Sequence, residues 1–152
     1  MIIFKNASLY DIKSMQELVR PEVESGVILA RSDDEISTNI RSYILAKKDG
    51  KLLGFGALHF HTSALGEVRS LIILPEARGN GIGKNIVKKL LLNAKEYGAK
   101  KIFTLTYKRS FFESLGFIEI PKEDLPAHKI WADCIKCKFF PICDEIALIQ
   151  TI

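Results

Sequence analysis

Leu71-Ile72-Ile73-Leu74-Pro75-Glu76-Ala77-Arg78-Gly79-Asn80-Gly81-Ile82-Gly83-Lys84 is the stretch that decides how this chain is read. An apolar strand runs into a proline stop, a basic residue follows, and glycines at 79, 81 and 83 open an amphipathic helix. Glycine there lets the backbone turn tightly and bring its N–H groups against an anion. The first turn of the helix adds orphan donors and the positive end of its dipole. With Arg78 and Lys84 as flanking cations, the stretch is predicted to cradle a pyrophosphate. It is not a Walker loop, because Gly83-Lys84 is followed by Asn85 instead of Ser or Thr, and Arg78 stands where the first glycine should be. A dinucleotide fingerprint does not fit either, since the third glycine comes one residue early.

Downstream of the loop, residues 83–97 place Ile86, Val87, Leu90, Leu91 and Ala94 on one helical stripe, with Gly98 as C-cap. Residues 102–106 then read as a strand parallel to the one before the helix. The resulting βαβ unit puts a ligand site at the carboxyl ends of its strands, where the glycines lie. Upstream, strands at 43–47, 52–61 and 67–74 form an antiparallel meander, with turns at Asp49-Gly50 and around Gly66. A first strand is predicted at 2–6, a helix at 9–19 with Ser8 as cap and Pro21 just past its end, and a short helix after Ser32 whose N-terminus Asp33, Asp34 and Glu35 favour. Alternation at 144–149 suggests a last strand beside the region after Phe117.

The 152 residues suit a single domain, 1–152, whose C-terminal hairpin and tail take up about 118–152. A formal charge of +4, spread along the chain without a basic run, argues against nucleic acid and is explained by a polyanionic small ligand. Lys84, Lys88 and Lys89 lie on the helix that starts at the loop, within reach of its phosphates or on a solvated face. With no apolar run of about 18 residues or more and no basic-then-apolar leader, neither a membrane partner nor secretion is expected, and the cytoplasm is the expected location.

Arg78, Gly81 and Gly83 match the Arg/Gln-x-x-Gly-x-Gly signature of the GNAT family of N-acetyltransferases, which this chain resembles. Phe111-Phe112-Glu113-Ser114-Leu115-Gly116-Phe117 resembles that family's second segment at the usual distance. The resemblance implies a mixed α/β fold: a central, mostly antiparallel sheet, a splayed parallel pair at the cofactor site, and flanking helices. It also implies acetyl-CoA as co-substrate. Its pyrophosphate would lie on Arg78, Gly79, Asn80, Gly81, Ile82, Gly83 and Lys84, its pantetheine on backbone groups of Leu71 and Ile73, and Phe112 beside the thioester.

Three further segments resemble the acetyltransferase domain of N-acetylglutamate synthases, including short stand-alone forms. These are Arg20-Pro21 through Gly26-Val27-Ile28-Leu29-Ala30-Arg31-Ser32, Gly66-Glu67-Val68-Arg69-Ser70-Leu71, and Phe103-Thr104-Leu105-Thr106-Tyr107. The resemblance covers about residues 20–117 and implies transfer of acetyl to the α-amino group of a small amino acid, glutamate first, on the way to arginine. No amino-acid-kinase-like segment is present, so arginine feedback through one is not expected, and a homodimer is left open.

Acyl transfer to an amine needs a base for the amine, stabilisation of the oxyanion and a proton for the departing thiolate. Period-two alternation sets Glu67, Arg69, Leu71 and Ile73 on one face, and Glu67 is the candidate base, directly or through water. Family members that carry Tyr at position 112 use it as the acid. Phe112 has no proton to give, so Tyr107 is the substitute, with Thr106 or water as alternatives. Two carboxylates on the acceptor call for planar, bidentate cations, which nominates Arg31 and Arg69, with Lys129 as a third. The tail carries Cys134, Cys137 and Cys143 near His128 and Asp133. No metal is expected there, small buried side chains being preferred over zinc on three thiolates. His59 and His61 are read as one partly buried strand residue and one surface residue, and Trp131 as an anchor for the tail. Other acceptor amines (a peptide N-terminus, a lysine, a polyamine) and a non-catalytic acyl-CoA or arginine sensor remain as alternatives.

Overall fold

The computed structural model describes residues 1–126 and 145–152. Its strands form one sheet in the order β1 (Ile3–Asn6), β2 (Tyr43–Lys48), β3 (Lys51–Phe60), β4 (Leu65–Ile73), β5 (Lys101–Thr106), β7 (Ile146–Thr151), β6 (Ile118–Ile120). Every neighbouring pair is antiparallel except β4 with β5. This is the mixed, mostly antiparallel sheet expected, and β7 does pair with β6 after Phe117, while its other edge joins β5.

Tyr43-Ile44-Leu45-Ala46 is buried throughout, as a strand covered on both faces must be. Tyr43 and Leu45 face Met15 and Val19 of α1 (Ile12–Glu24) and Ile36 of α2 (Asp33–Thr38). Ile44 and Ala46 face the Ile82, Ile86, Val87, Leu90 and Ala94 stripe of α3 (Ile82–Tyr97). Phe112, on the short α4 (Arg109–Glu113), joins that second core between Phe111 and Phe117, with ring centroids at 5.0 and 5.3 Å. Gly98 ends α3 at φ 97°, and the Ser32 hydroxyl caps α2 by accepting the Glu35 N–H at 3.1 Å.

Three local expectations are corrected. The first helix does not stop before Pro21 but runs to Glu24. Proline removes its own N–H and crowds the carbonyl four residues back, which belongs to Glu17; that residue is exposed like Pro21, so its carbonyl has room to tilt out toward water. That helix also starts later, at Ile12, because Leu9–Asp11 is a 3-10 turn, in which the Asp11 carboxylate accepts from the Ser8 N–H at 2.8 Å and its hydroxyl at 3.0 Å. Gly66 lies within β4, not in the turn. The turn is made by Thr62, whose hydroxyl accepts the Ala64 and Leu65 N–H groups at 3.1 and 2.9 Å.

The third correction shapes the site. Ala57 pairs with Arg69 and Phe55 with Ile72, so Ser70 and Leu71 together oppose Gly56. This is a β-bulge, with Ser70 at φ 57°. The extra residue inverts the alternation: Glu67, Arg69 and Ile72 share the α1/α2 face, whereas Val68, Leu71 and Ile73 share the α3 face. The single face predicted for Glu67, Arg69, Leu71 and Ile73 is therefore split in two. Among the described residues no helix is long and apolar enough to cross a membrane.

Candidate active site

β4 and β5 pair only at Leu65–Lys101, Gly66–Ile102 and Glu67–Phe103, and then part. Where they separate, the buried Thr104 hydroxyl reaches across and donates to the Val68 carbonyl at 2.9 Å, satisfying a group that the lost ladder would have served. Beyond that bond lies a cavity of about 560 Å³, walled by the bulged end of β4, the diverging end of β5, the glycine loop and residues 26–31.

The loop is built from backbone. Gly79 and Gly81 take φ 85° and 76°, and a Cβ on either would meet nothing within 4 Å, so conformation and not crowding demands glycine. The Asn85 N–H bonds the Gly81 carbonyl at 3.1 Å, which leaves the N–H groups of Ile82, Gly83 and Lys84 as the first-turn donors of α3. Gly83 is held close under the Phe111 ring, 3.4 Å from the position of an added Cβ. Arg78 Nε donates to the Ile73 carbonyl at 3.1 Å and its Nη2 lies 3.6 Å from Glu22 Oε1, which ties the loop to β4 and to α1. The Asn80 amide turns back onto the Ala77 carbonyl at 3.1 Å. Leu71, Ile73, Arg78, Gly79, Gly81, Ile82, Gly83, Lys84 and Phe112 all line the cavity. Lys88 is not on its wall, and Lys89 sits over the Phe4 ring at 5.8 Å instead.

The opposite wall is made of side chains. Glu67, Arg31, Arg69 and Tyr107 all border the same cavity. Arg31, its side chain 13% exposed, is 3.6 Å from Glu35, and its carbonyl accepts from Gln16 Nε2 at 2.8 Å, while the same amide reaches Asp33 at 2.9 Å. Burial pushes the Tyr43 phenol above its usual pKa against the pull of Arg31 and Arg69, so both guanidiniums act on one buried ring. Tyr107 stands at the rim. Lys129, His128, Trp131, Asp133, Cys134, Cys137, Cys143 and Asp144 lie outside the described residues.

Two features escaped the sequence reading. Thr104 looked like one more alternating strand residue until the parting of the strands gave its hydroxyl a carbonyl to serve. The histidine expectation is corrected, because neither is a surface residue: the His61 side chain is 2% exposed with Nε2 2.8 Å from Glu67 Oε1, and His59 is half-buried with Nδ1 3.2 Å from Arg69 Nη2. Their alternation in sequence was visible, but not the register that set them against β4.

The model of the acetyltransferase (GNAT) family matches residues 8–117. This chain belongs to that family. An uncharacterised N-acetyltransferase of Chlorobaculum tepidum is 37% identical over 97% of this chain and 95% of its own length. An amino-acid acetyltransferase of Aeromonas salmonicida is 31% identical over 81% of this chain but only 28% of its own length, so this chain spans less than a third of that relative. Among solved structures, N-acetylglutamate synthase from Neisseria gonorrhoeae, complexed with coenzyme A and N-acetyl-glutamate, superposes with a TM-score of 0.88 at 24% identity, covering 99% of this chain and 35% of that one. That likeness concerns the fold, and the parted β4–β5 pair beside a glycine loop is the GNAT architecture.

Proposed function

We propose that residues 1–152 form one N-acetyltransferase domain that passes the acetyl group of acetyl-CoA to the α-amino group of a small amino acid, glutamate first, by direct attack in a ternary complex. The observation that carries this reading is the meeting, on one cavity, of a backbone anion cradle, a buried carboxylate and two arginines. The cradle fits a pyrophosphate: left-handed glycines, three first-turn amides and Lys84 all face the cavity, and the apolar edge of the bulged strand continues from it as a trough for a pantetheine arm. Supplying both substrates to one cavity also removes the need for a covalent acetyl-enzyme.

Each residue then has a task. Arg31 and Arg69 hold the acceptor's carboxylates and orient its nitrogen. Glu67, at the last rung before β4 and β5 part, accepts a proton from the ammonium so that the amine can attack the thioester carbonyl. Backbone N–H groups of the bulge face the oxyanion that forms, and Tyr107 supplies the thiolate's proton. Support for glutamate comes from the resemblance to amino-acid acetyltransferases over most of this chain and from the pair of arginines. On this reading the enzyme works in the cytoplasm at the committed step toward arginine.

One observation favours a second reading. Phe112 is 2% exposed and fixed among Phe111 and Phe117, so no hydroxyl stands at the position from which tyrosine acts in relatives that carry it. A non-catalytic acyl-CoA sensor would tolerate that. Thiol release from acetyl-CoA, followed against free amino acids, polyamines and short peptides, separates the readings. Turnover confined to glutamate or a near relative supports the synthase, turnover on peptides or polyamines keeps the chemistry and discards the acceptor, and cofactor binding without turnover favours the sensor.

A further inference from the structure

Glu67 and Arg69 each meet a histidine at the end of β3, His59 within the strand and His61 just after it, and the register explains how. His59 stands directly opposite Glu67, and Ala57 opposite Arg69. The side-chain bonds nevertheless run along the diagonals: His61 Nε2 to Glu67 Oε1 at 2.8 Å, and Arg69 Nη2 to His59 Nδ1 at 3.2 Å. Diagonal neighbours on a sheet face are within reach of long side chains, and both diagonals lean the same way. The two imidazoles meet edge to face with centroids 4.8 Å apart. His61 is held from the other side by Phe103, at 5.2 Å, and Phe103 is itself the β5 partner of Glu67.

Donor and acceptor chemistry fixes the roles. A guanidinium only donates, so His59 Nδ1 accepts, and His59 is a neutral imidazole with its proton on Nε2. A carboxylate only accepts, so His61 Nε2 donates to Glu67. Glu67 and His61 are each 2% exposed at the side chain, and a carboxylate so far from water needs a protein donor.

We propose that His61 is the positioning residue for the base Glu67, and His59 for Arg69, so that the end of β3 and the residue that follows it set the spacing between the proton acceptor and the cation that takes the acceptor's carboxylate. The inference rests on the roles given to Glu67 and Arg69 in the proposed reaction. Because His61 is clamped between His59 and Phe103, it cannot follow Glu67 if the carboxylate swings, and the bond holds one rotamer of Glu67 aimed into the cavity. The pair thus places base and substrate cation on one rigid ladder.

The test is a set of substitutions read by kcat and KM separately, with acetyl-CoA affinity measured by calorimetry. His61→Phe keeps a ring against Phe103 and loses the donor; kcat should fall about 100-fold while acetyl-CoA Kd and acceptor KM stay within about twofold. His61→Gln keeps an N–H donor and should recover most of that loss. His59→Phe should raise the acceptor KM about tenfold with a smaller change in kcat. Wild-type kcat in His61→Phe, or equal losses of kcat and cofactor affinity in both His61 variants, overturns the proposal. Glu67→Gln is measured alongside: if it is inactive while His61→Phe is normal, the base stands and only the positioning role falls, whereas full activity in Glu67→Gln removes both. Should either variant fail to fold, nitrogen-15 spectra of histidine in the wild-type protein decide the matter. A slowly exchanging His61 Nε2 proton that is lost in Glu67→Gln supports the bond, and a His59 protonated at Nδ1 contradicts it.

Discussion

On its α3 side the cavity is built from backbone, and on its α1/α2 side from side chains. The α3 wall is a strand end, left-handed glycines and the first turn of a helix, so its binding groups are amides that every sequence possesses and only conformation presents. The opposite wall is Arg31, Arg69 and Glu67, whose positions depend on α2, on a bulge and on β3. A constant ligand suits a wall of amides, while a wall of side chains can change its acceptor by substitution without disturbing the fold.

The sharpest way to break this division is at Glu67. Glu67→Gln should lower kcat by about 10² to 10⁴ while acetyl-CoA Kd, measured by calorimetry, stays put. A parallel loss of cofactor binding would mean the two walls are not separable. Next in size, Arg69→Ala or Arg31→Ala should raise the acceptor KM about 10- to 100-fold, with the KM for acetyl-CoA unchanged in steady-state kinetics. On the other wall, Gly81→Ala forces a Cβ into a left-handed position at roughly 1–2 kcal/mol, and about a tenfold rise in the acetyl-CoA KM is expected with acceptor KM preserved.

The smallest effect concerns stability. Asp11 is buried, which alone would raise its pKa. The Lys47 ammonium at 2.7 Å and the Ser8 N–H and hydroxyl outweigh that and hold the carboxyl below its usual value. A pKa lower in the folded than in the unfolded chain stabilises the fold above the ordinary carboxylate value, and this contribution is lost as pH falls through the lowered one. Asp11→Asn should therefore cost about 1 kcal/mol at neutral pH, with the difference from wild type closing in acid, as followed by urea denaturation across pH. Because Asp11 braces the start of α1 against β2 and does not border the cavity, acetyl-CoA affinity should not change.

The same division explains what was legible in the sequence. The glycine loop, the α3 stripe and the Gly98 cap are local: their signals lie within one element, and the structure has them where the spacing put them. The side-chain wall was legible only as a set of residue types. Arg31, Arg69 and Glu67 were nominated by chemistry and do border one cavity, but the parting of Leu71 and Ile73 from the face of Glu67 and Arg69 was not, because one extra residue at Ser70 inverts an alternation that period-two counting carries straight through. Pro21 misled for a related reason, since a helix can run through a proline where the crowded, orphaned carbonyl tilts out to water, and exposure is a tertiary property. His59 and His61 alternated in plain view, yet nothing local says which β4 residues they meet.

A crystal structure of Glu67→Gln bound to both acetyl-CoA and glutamate bears most directly on the two-wall account. The expected result has the pyrophosphate on the amides of residues 79–84, the acceptor's carboxylates on Arg31 and Arg69, and its amino nitrogen facing residue 67 and the thioester. Glutamate bound away from the two arginines, or a cofactor whose phosphates avoid the glycine loop, would contradict it.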